Sequence, residues 1–219
     1  MKTDILYSFR RCPYAIRVRW AILICEIKIE IREVDLKNKP LEFISKSRTK
    51  TVPILVKTSN EVIEESLDII TWALSESKNK NIKDFYIPND KNEEILEIIY
   101  ENDHSFKYHL DRFKYSTRFS ARDEDHHFLE ATKFIKKWNK QITERRWLIG
   151  DTPSIADWCI WPFVRQFKIA CESQKKTNYL EEPISQWLGY FEKHHNFKKL
   201  MHKYEPWKPS TKKHYFPFN

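Results

Sequence analysis

The sequence contains very little glycine. Among its 219 residues there are only two, Gly150 and Gly189. Nucleotide-binding loops need several closely spaced glycines, because the backbone must approach the phosphates without side chains in the way. The sequence therefore excludes the Rossmann fingerprint and the P-loop, and we expect no nucleotide cofactor.

Cysteine pairs and long apolar runs are also missing. The four cysteines include no Cys-x-x-Cys pair, which argues against a zinc knuckle and against a disulfide framework. No apolar run reaches the roughly 18 residues that span a bilayer. The first residues lead directly into a predicted strand, so we expect no signal peptide. Together these features predict a protein of the reducing cytoplasm that has no membrane partner.

Histidine spacing and charge give no sign of a metal or of nucleic acid. None of the eight histidines forms a pattern such as His-Glu-x-x-His. The adjacent pairs His126-His127 and His194-His195 are expected to point to different faces of a helix, so we predict no metal site. The net charge is +8, but the lysines alternate with glutamates, which favours a solvated surface over nucleic acid binding.

The sequence does contain a cysteine placed between a strand and a helix. Residues 4–9 partly alternate as a strand, and from Pro13 apolar residues recur at helical spacing. Cys12 is then the helix N-cap, where unpaired N–H groups and the helix dipole favour a thiolate; Arg10 and Arg11 add positive charge. On spacing alone, a reactive Cys12 and a small buried one are equally supported. Three cysteines lie in apolar helical patterns and are predicted to be core residues: Cys25, Cys159 and Cys171.

The predicted elements divide the chain into two parts. Up to about Ser77 their order is strand, helix, strand, helix, strand, strand, helix, and Ser66 is the expected N-cap of the last helix. Residues 76–83 are polar and resemble a linker. The rest is predicted to be helical until Pro206, after which the proline- and aromatic-rich tail is expected to pack back on the body. We therefore predict domains over residues 1–77 and 84–219.

One acidic residue of the second part is interpreted as structural. Ser154 precedes a predicted helix, and Asp157 follows it at the spacing of a capping box. In a capping box the acidic side chain accepts a hydrogen bond from the backbone of the capping residue. We therefore expect replacement of Asp157 to affect folding more than chemistry.

This organisation resembles the cytosolic glutathione transferases. The run from Tyr7 to Ala15 resembles the cysteine-type, omega-class members, in which the corresponding run has the form Cys-Pro-Phe-Ala. Further matches occur in family order: the loop Leu36 to Pro40, the Val52-Pro53 step, the Glu65-Ser66 pair and the helix start Pro153 to Phe163. Each match alone is weak, but their order and spacing together are specific. The resemblance covers nearly the whole chain.

The resemblance implies a fold and a set of site residues. The fold is a thioredoxin-like βαβαββα domain followed by an all-helical domain, with glutathione as co-substrate and Cys12 as the catalytic residue. The implied glutathione-binding residues are Phe9, Lys39, Val52, Pro53, Glu65 and Ser66. A cis peptide before Pro53 would present the Val52 backbone to glutathione. Without the resemblance, Ser66 would be interpreted as a helix cap and Lys39 as a surface lysine.

The resemblance also implies a second substrate and a dimer. In the family the second substrate lies between the two domains, and the candidate residues here are Tyr14, Tyr108, Arg112 and Trp161. An aromatic core with solvated basic residues explains the aromatic and basic run around Tyr108 and Arg112 at least as well. The family usually forms homodimers, and we carry this over as an expectation.

Three functions remain open at this point. The first is a glutathione-dependent thiol transferase or reductase, in which Cys12 reacts alone because Ala15 stands where a second cysteine would be. The second is conjugation of glutathione to electrophiles, with Tyr7 or Ser8 activating the bound thiol. The third is a non-enzymatic adaptor of the same fold.

Overall fold

The chain forms two compact units. The structure, a computed structural model, describes residues 3–79, 81–87, 89–119 and 123–218. The first unit contains the chain up to Lys83 together with the tail from His195 onward. The second unit contains residues 84–194. The tail thus clusters with the first unit, whereas the sequence assigned it to the helical domain.

The first unit has the predicted βαβαββα order. Strand β1 pairs in parallel with β2 and antiparallel with β3, and β3 pairs antiparallel with β4. The helices and strands are β1 (Ile5–Ser8), α1 (Pro13–Ile24), β2 (Ile29–Glu33), α2 (Leu41–Lys46), β3 (Ile54–Val56), β4 (Val62–Ile63) and α3 (Ser66–Glu76). The thioredoxin-like fold expected for this part is confirmed.

The tail adds a fifth strand to this sheet. After the short helix α10 (Phe197–Leu200), the strand β5 (His214–Phe216) pairs antiparallel with β2, and the strand order is β4-β3-β1-β2-β5. The tail's Trp207 is also buried, and its N–H donates to the Glu33 carbonyl at 2.8 Å. The sequence correctly predicted a tail that packs back. It placed the tail in the wrong domain because it gave no sign that the edge of β2 needed a partner.

The described part of the second unit is helical. Its helices are α5 (Asn92–Glu101), α6 (Lys107–Lys114), α7 (Glu124–Arg145), α8 (Ile155–Ser173) and α9 (Glu182–Glu192), preceded by α4 (Ile82–Tyr86) at the boundary between the units. A π-helical turn, Asn102–Phe106, joins α5 to α6. One face of the α5 segment and the π-helical turn is buried, formed by Ile95, Ile99, Asn102 and Phe106. Within the described residues, no helix combines the length and the apolar character needed to cross a bilayer.

The capping box at the start of α8 is confirmed. The Asp157 carboxylate accepts hydrogen bonds from the Ser154 N–H at 2.8 Å and the Ser154 hydroxyl at 3.0 Å. It also accepts from the Leu148 N–H at 3.2 Å and from Trp187 Nε1 at 2.9 Å. Burial raises the pKa of Asp157, and these donated hydrogen bonds oppose that effect. Asp157 therefore ties together a loop, the helix start and α9.

Candidate active site

Cys12 is the N-cap of α1, as predicted. Its backbone is extended and Pro13 occupies the first helical turn, where the N–H that proline lacks is not needed. The Cys12 N–H donates to the Phe9 carbonyl at 3.0 Å, and this bond closes the turn between β1 and α1. The Cys12 side chain is half-buried. This position places Cys12 at the positive end of the helix dipole, where a thiolate is favoured.

Two buried charged residues, Arg19 and Glu33, bind the backbone of the turn that precedes Cys12. The Arg10 N–H donates to Glu33 Oε1 at 2.7 Å, and the Arg10 carbonyl accepts from Arg19 Nη2 at 2.7 Å. Both Arg19 and Glu33 are buried. The two residues thus fix the peptide groups on both sides of Arg10, two positions before the thiol.

The Arg19 guanidinium stays charged at neutral pH. Burial lowers the pKa of Arg19 to about 10, while the charges of Glu33 and Cys12 act in the opposite direction. Among the described residues, its Nε and Nη1 atoms have no hydrogen-bond partner. Burial also raises the pKa of Glu33, and the Arg10 N–H and the nearby arginines oppose this. The cationic Arg19 therefore favours a negative charge on Cys12.

The thiol lies beside the Val52-Pro53 step. Cys12 Sγ is 3.6 Å from the Val52 carbonyl oxygen, within hydrogen-bond range for sulfur. The Val52-Pro53 peptide bond is cis, as the family resemblance implied. Phe9 and Cys12 both pack against the apolar cluster that contains Val52. Four of the predicted site residues are thus brought to one place in the first unit.

Ser66 is not the cap that the sequence predicted. Glu65 occupies the N-cap of α3, and Ser66 is the first helical residue. The Ser66 hydroxyl accepts hydrogen bonds from Arg17 Nε at 3.1 Å and Nη2 at 2.7 Å. Arg17 is buried and also lies over the Tyr14 ring, with Cζ 4.9 Å from its centroid. The start of α3 therefore combines a helix N-terminus, a hydroxyl and a guanidinium, which together suit a carboxylate.

Lys39 and Glu65 lie on accessible parts of the first unit. Lys39 is half-buried, and its Nζ donates to the Lys50 carbonyl at 2.9 Å. The loop that contains Lys50 is held by Glu64, which accepts from the N–H groups of Arg48 at 2.9 Å and Thr49 at 3.2 Å. These hydrogen bonds lower the pKa of Glu64. The Glu65 side chain is exposed and can meet a cationic ligand group.

Neither hydroxyl considered for conjugation is accessible. Tyr7 is 1% exposed, and its hydroxyl donates to Glu42 Oε1 at 3.1 Å and accepts from Arg32 Nη1 at 2.7 Å. Burial raises the pKa of Tyr7 well above its ordinary value. Ser8 is 0% exposed. A group that activates a bound thiol must contact it, and these two positions do not allow that.

The candidate substrate residues are distributed over both units. Tyr14 is half-buried in the first unit. Tyr108 and Arg112 lie on α6 of the second unit, where the guanidinium is stacked 3.5 Å from the centroid of the Tyr108 ring. Trp161 is 0% exposed and stacks on Phe191 at 5.2 Å. Its indole therefore belongs to the core of the second unit and offers no surface to a substrate.

The other three cysteines are buried, as predicted: Cys159 and Cys171 lie in α8, and Cys25 is the C-cap of α1. Burial raises the pKa of Cys25 to about 12 and that of Cys171 to about 12. Cys159 is 0% exposed. The Cys25 and Cys171 thiols therefore remain protonated at neutral pH, and the Cys159 thiol is inaccessible, so Cys12 is the candidate nucleophile among the four cysteines.

Sequence reasoning missed Arg17, Arg19 and Glu33. The two arginines occur two residues apart in an apolar helix and look like ordinary surface positions. A usable signal was present, because both lie in a helix whose residues are otherwise almost all apolar. A helix that is apolar on all sides is buried, and so are its charged residues.

The fold and the site define a class of protein, one with a thioredoxin-like domain, a helical unit and a thiol at the start of the first helix. Two family models match this chain. The glutathione S-transferase N-terminal domain matches residues 6–81, and the glutathione S-transferase C-terminal domain matches residues 121–193. The chain belongs to the glutathione S-transferase family.

Curated relatives are similar over the larger part of the chain. Glutathione S-transferase omega-1 of Rattus norvegicus is 28% identical over 169 residues, which cover 74% of this chain and 66% of that protein. The omega-1 protein of Mus musculus is 26% identical over 165 residues, which cover 74% of this chain and 66% of that protein. The chain thus spans about two thirds of the length of these relatives.

Solved structures share the fold of this chain. Ure2p in complex with S-hexylglutathione superposes with a TM-score of 0.79 at 16% identity, covering 92% of this chain and 99% of that chain. A glutathione transferase family member from Pseudomonas fluorescens, with two glutathione bound, superposes with a TM-score of 0.74 at 16% identity. The match covers 91% of this chain and 92% of that chain. At these identities the likeness concerns the fold.

Proposed function

We propose that this chain is a glutathione-dependent thiol transferase in which Cys12 acts as a monothiol nucleophile. The observation that carries the proposal is the placement of Cys12 at the N-terminus of α1, with the Arg19 cation buried beneath the same turn. Membership of the glutathione S-transferase family supports glutathione as the co-substrate. The similarity to omega-class relatives supports the thiol transferase type.

The reaction begins with attack on a mixed disulfide. The Cys12 thiolate attacks the glutathionyl sulfur of a substrate disulfide, so that a Cys12–glutathione disulfide forms and the substrate sulfur leaves as a thiolate. That thiolate then takes up a proton. A second glutathione thiolate attacks the glutathionyl sulfur on Cys12, which releases oxidised glutathione and restores the Cys12 thiolate. The net change is one disulfide reduced and one glutathione disulfide formed.

The geometry of the first unit supports this route for glutathione. The γ-glutamyl carboxylate would meet Ser66 and the charge of Arg17 at the start of α3, and the γ-glutamyl amine would meet the exposed carboxylate of Glu65. Lys39 would meet the glycine carboxylate. The Val52 backbone and Phe9 would flank the glutathione cysteine beside Cys12. A related reaction, reduction of dehydroascorbate by two glutathione molecules, uses the same residues.

The buried positions of Tyr7 and Ser8 argue against the conjugation alternative. Tyr108, Arg112 and Tyr14 remain candidates for the second substrate, whereas the burial of Trp161 favours a core role for it.

The proposal requires a compartment in which glutathione is kept reduced, and the reducing cytoplasm meets this requirement. We also propose a homodimer, because the family resemblance implies one.

The decisive experiment compares wild type with Cys12→Ser in two assays. One measures reduction of a small glutathione mixed disulfide, and the other measures conjugation of glutathione to a chloronitrobenzene. We expect robust reduction that is lost in Cys12→Ser, because serine cannot form the mixed disulfide. Cys25→Ser is the matched control, since its thiol is buried, and its reduction rate is expected to equal that of wild type.

Other outcomes have clear meanings. Conjugation that persists or rises in Cys12→Ser would favour the conjugating function. If wild type is silent in both assays, the thiol transferase proposal fails, and retention on a glutathione-affinity column would then separate an inactive binder from an adaptor. A separate check is the pH dependence of Cys12 alkylation, whose midpoint is expected below the ordinary thiol value of about 8.5.

A further inference from the structure

Three histidines of the second unit meet between two helices. His109 lies on α6, and His126 and His127 lie at the start of α7. One ring nitrogen from each of them falls within 4.8 Å of the others. The sequence predicted that the adjacent histidines would point to different faces. That prediction was wrong for this pair, because both rings pack near the His109 ring.

The spacing suits a metal ion with nitrogen ligands. The Nδ1 atoms of His109 and His127 are 3.0 Å apart. Two nitrogen ligands on a tetrahedral zinc ion lie about 3.3 Å apart, given zinc–nitrogen bonds of about 2.0–2.1 Å. The His126 side chain is exposed, and one of its ring nitrogens already lies within 4.8 Å of the ligand nitrogens of His109 and His127.

The charged groups around the cluster act in both directions on a bound cation. Arg112 acts on His109 and His127 and opposes a cation there, whereas the carboxylates of Glu130 and Asp123 favour one.

We propose that His109, His126 and His127 form a binding site for a borderline divalent transition metal, with Zn²⁺ as the representative ion. Three imidazoles supply three ligands, and water completes the tetrahedron. The ion cross-links α6 to α7 and thereby stabilises the second unit. This site does not depend on Cys12, so it stands or falls independently of the thiol transferase proposal.

The test is calorimetric titration of ZnCl₂ into the full chain at pH 7.5. It is carried out in the Cys12→Ser background, so that the reactive thiol cannot supply a ligand. We expect one equivalent to bind with a Kd below about 10 μM. Each of His109→Gln, His126→Gln and His127→Gln is expected to weaken binding at least about tenfold. His104→Gln is the matched control, because His104 stacks on Tyr100 outside the cluster, and its affinity should be unchanged.

A second readout guards against misfolding of the variants. His127 is buried, so His126→Gln, at an exposed position, is the variant least able to disturb the fold. Zn²⁺ should raise the Tm of the Cys12→Ser protein and should raise that of the His126→Gln variant by a smaller amount. Equal affinity in all the variants, or no saturable binding, would overturn the proposal and leave His109 and His127 as a hydrogen-bonded pair.

Discussion

Replacement of Asp157 by alanine is expected to destabilise the protein strongly while leaving its chemistry intact. The Asp157 carboxylate is buried and accepts hydrogen bonds from Leu148, Ser154 and Trp187. Alanine leaves three buried N–H groups without an acceptor, each at a cost of about 1–3 kcal/mol. Part of this is offset, because the variant no longer buries a carboxylate whose pKa burial raises.

The net loss is therefore about 4 kcal/mol, since such contributions are not fully additive. For a chain of this size, this corresponds to a fall in Tm of about 8–16 °C. Urea unfolding should show a lower midpoint with an unchanged slope. The matched control is Asp151→Ala at an exposed position just before the helix, for which we expect a change within about 0.5 kcal/mol.

Activity separates the structural role of Asp157 from a catalytic one. At a temperature where Asp157→Ala is folded, its disulfide reduction rate should match that of wild type. The reasoning is refuted if the variant unfolds at the wild-type urea midpoint but has lost its activity. In that case the hydrogen bonds of the capping box would contribute little, and the carboxylate would act on substrate.

Two further substitutions probe the first unit. Tyr7→Phe removes a hydroxyl that bridges Arg32 and Glu42, so we expect the free energy of unfolding to fall by about 1–2 kcal/mol. The rate of disulfide reduction should stay within twofold of wild type. A large loss of activity at unchanged stability would return Tyr7 to the catalytic candidates. Trp207→Ala should cost about 3–5 kcal/mol in urea unfolding, because the indole is buried against Arg32 and Tyr7. Tyr215→Ala, at a partly exposed position of β5, should cost clearly less, and equal losses would show that Trp207 does not anchor the tail.

Local signals predicted the parts of the site that depend on short stretches of sequence. Cys12 could be identified as a helix cap because the apolar residues change from strand spacing to helical spacing at Pro13. The cysteine and this change are adjacent in the sequence. Ser66 was misplaced by one position because helix starts cannot be located more closely from sequence alone. The cis bond at Pro53 was predicted through the family resemblance, since composition and periodicity do not encode it.

The remaining features depend on contacts between distant parts of the chain. The burial of Arg19 could be predicted from its place in an apolar helix. Its hydrogen bond to the Arg10 carbonyl could not, because that bond requires the turn before Cys12 to fold against the helix. The strand β5 is three residues long, too short to show a period, and its partner β2 lies near the other end of the chain. His109 meets His126 and His127 only because α6 packs on α7. None of these pairings leaves a pattern in a single sequence.

The return of the tail to the first unit has a consequence for synthesis of the chain. The helical unit, residues 84–194, is continuous and can fold as soon as it leaves the ribosome. The thioredoxin-like unit is interrupted by it and lacks Trp207 and β5 until residues 195–218 have been synthesised. During that interval the edge of β2 is open to pairing with other strands, so the nascent chain is exposed to aggregation until β5 has emerged.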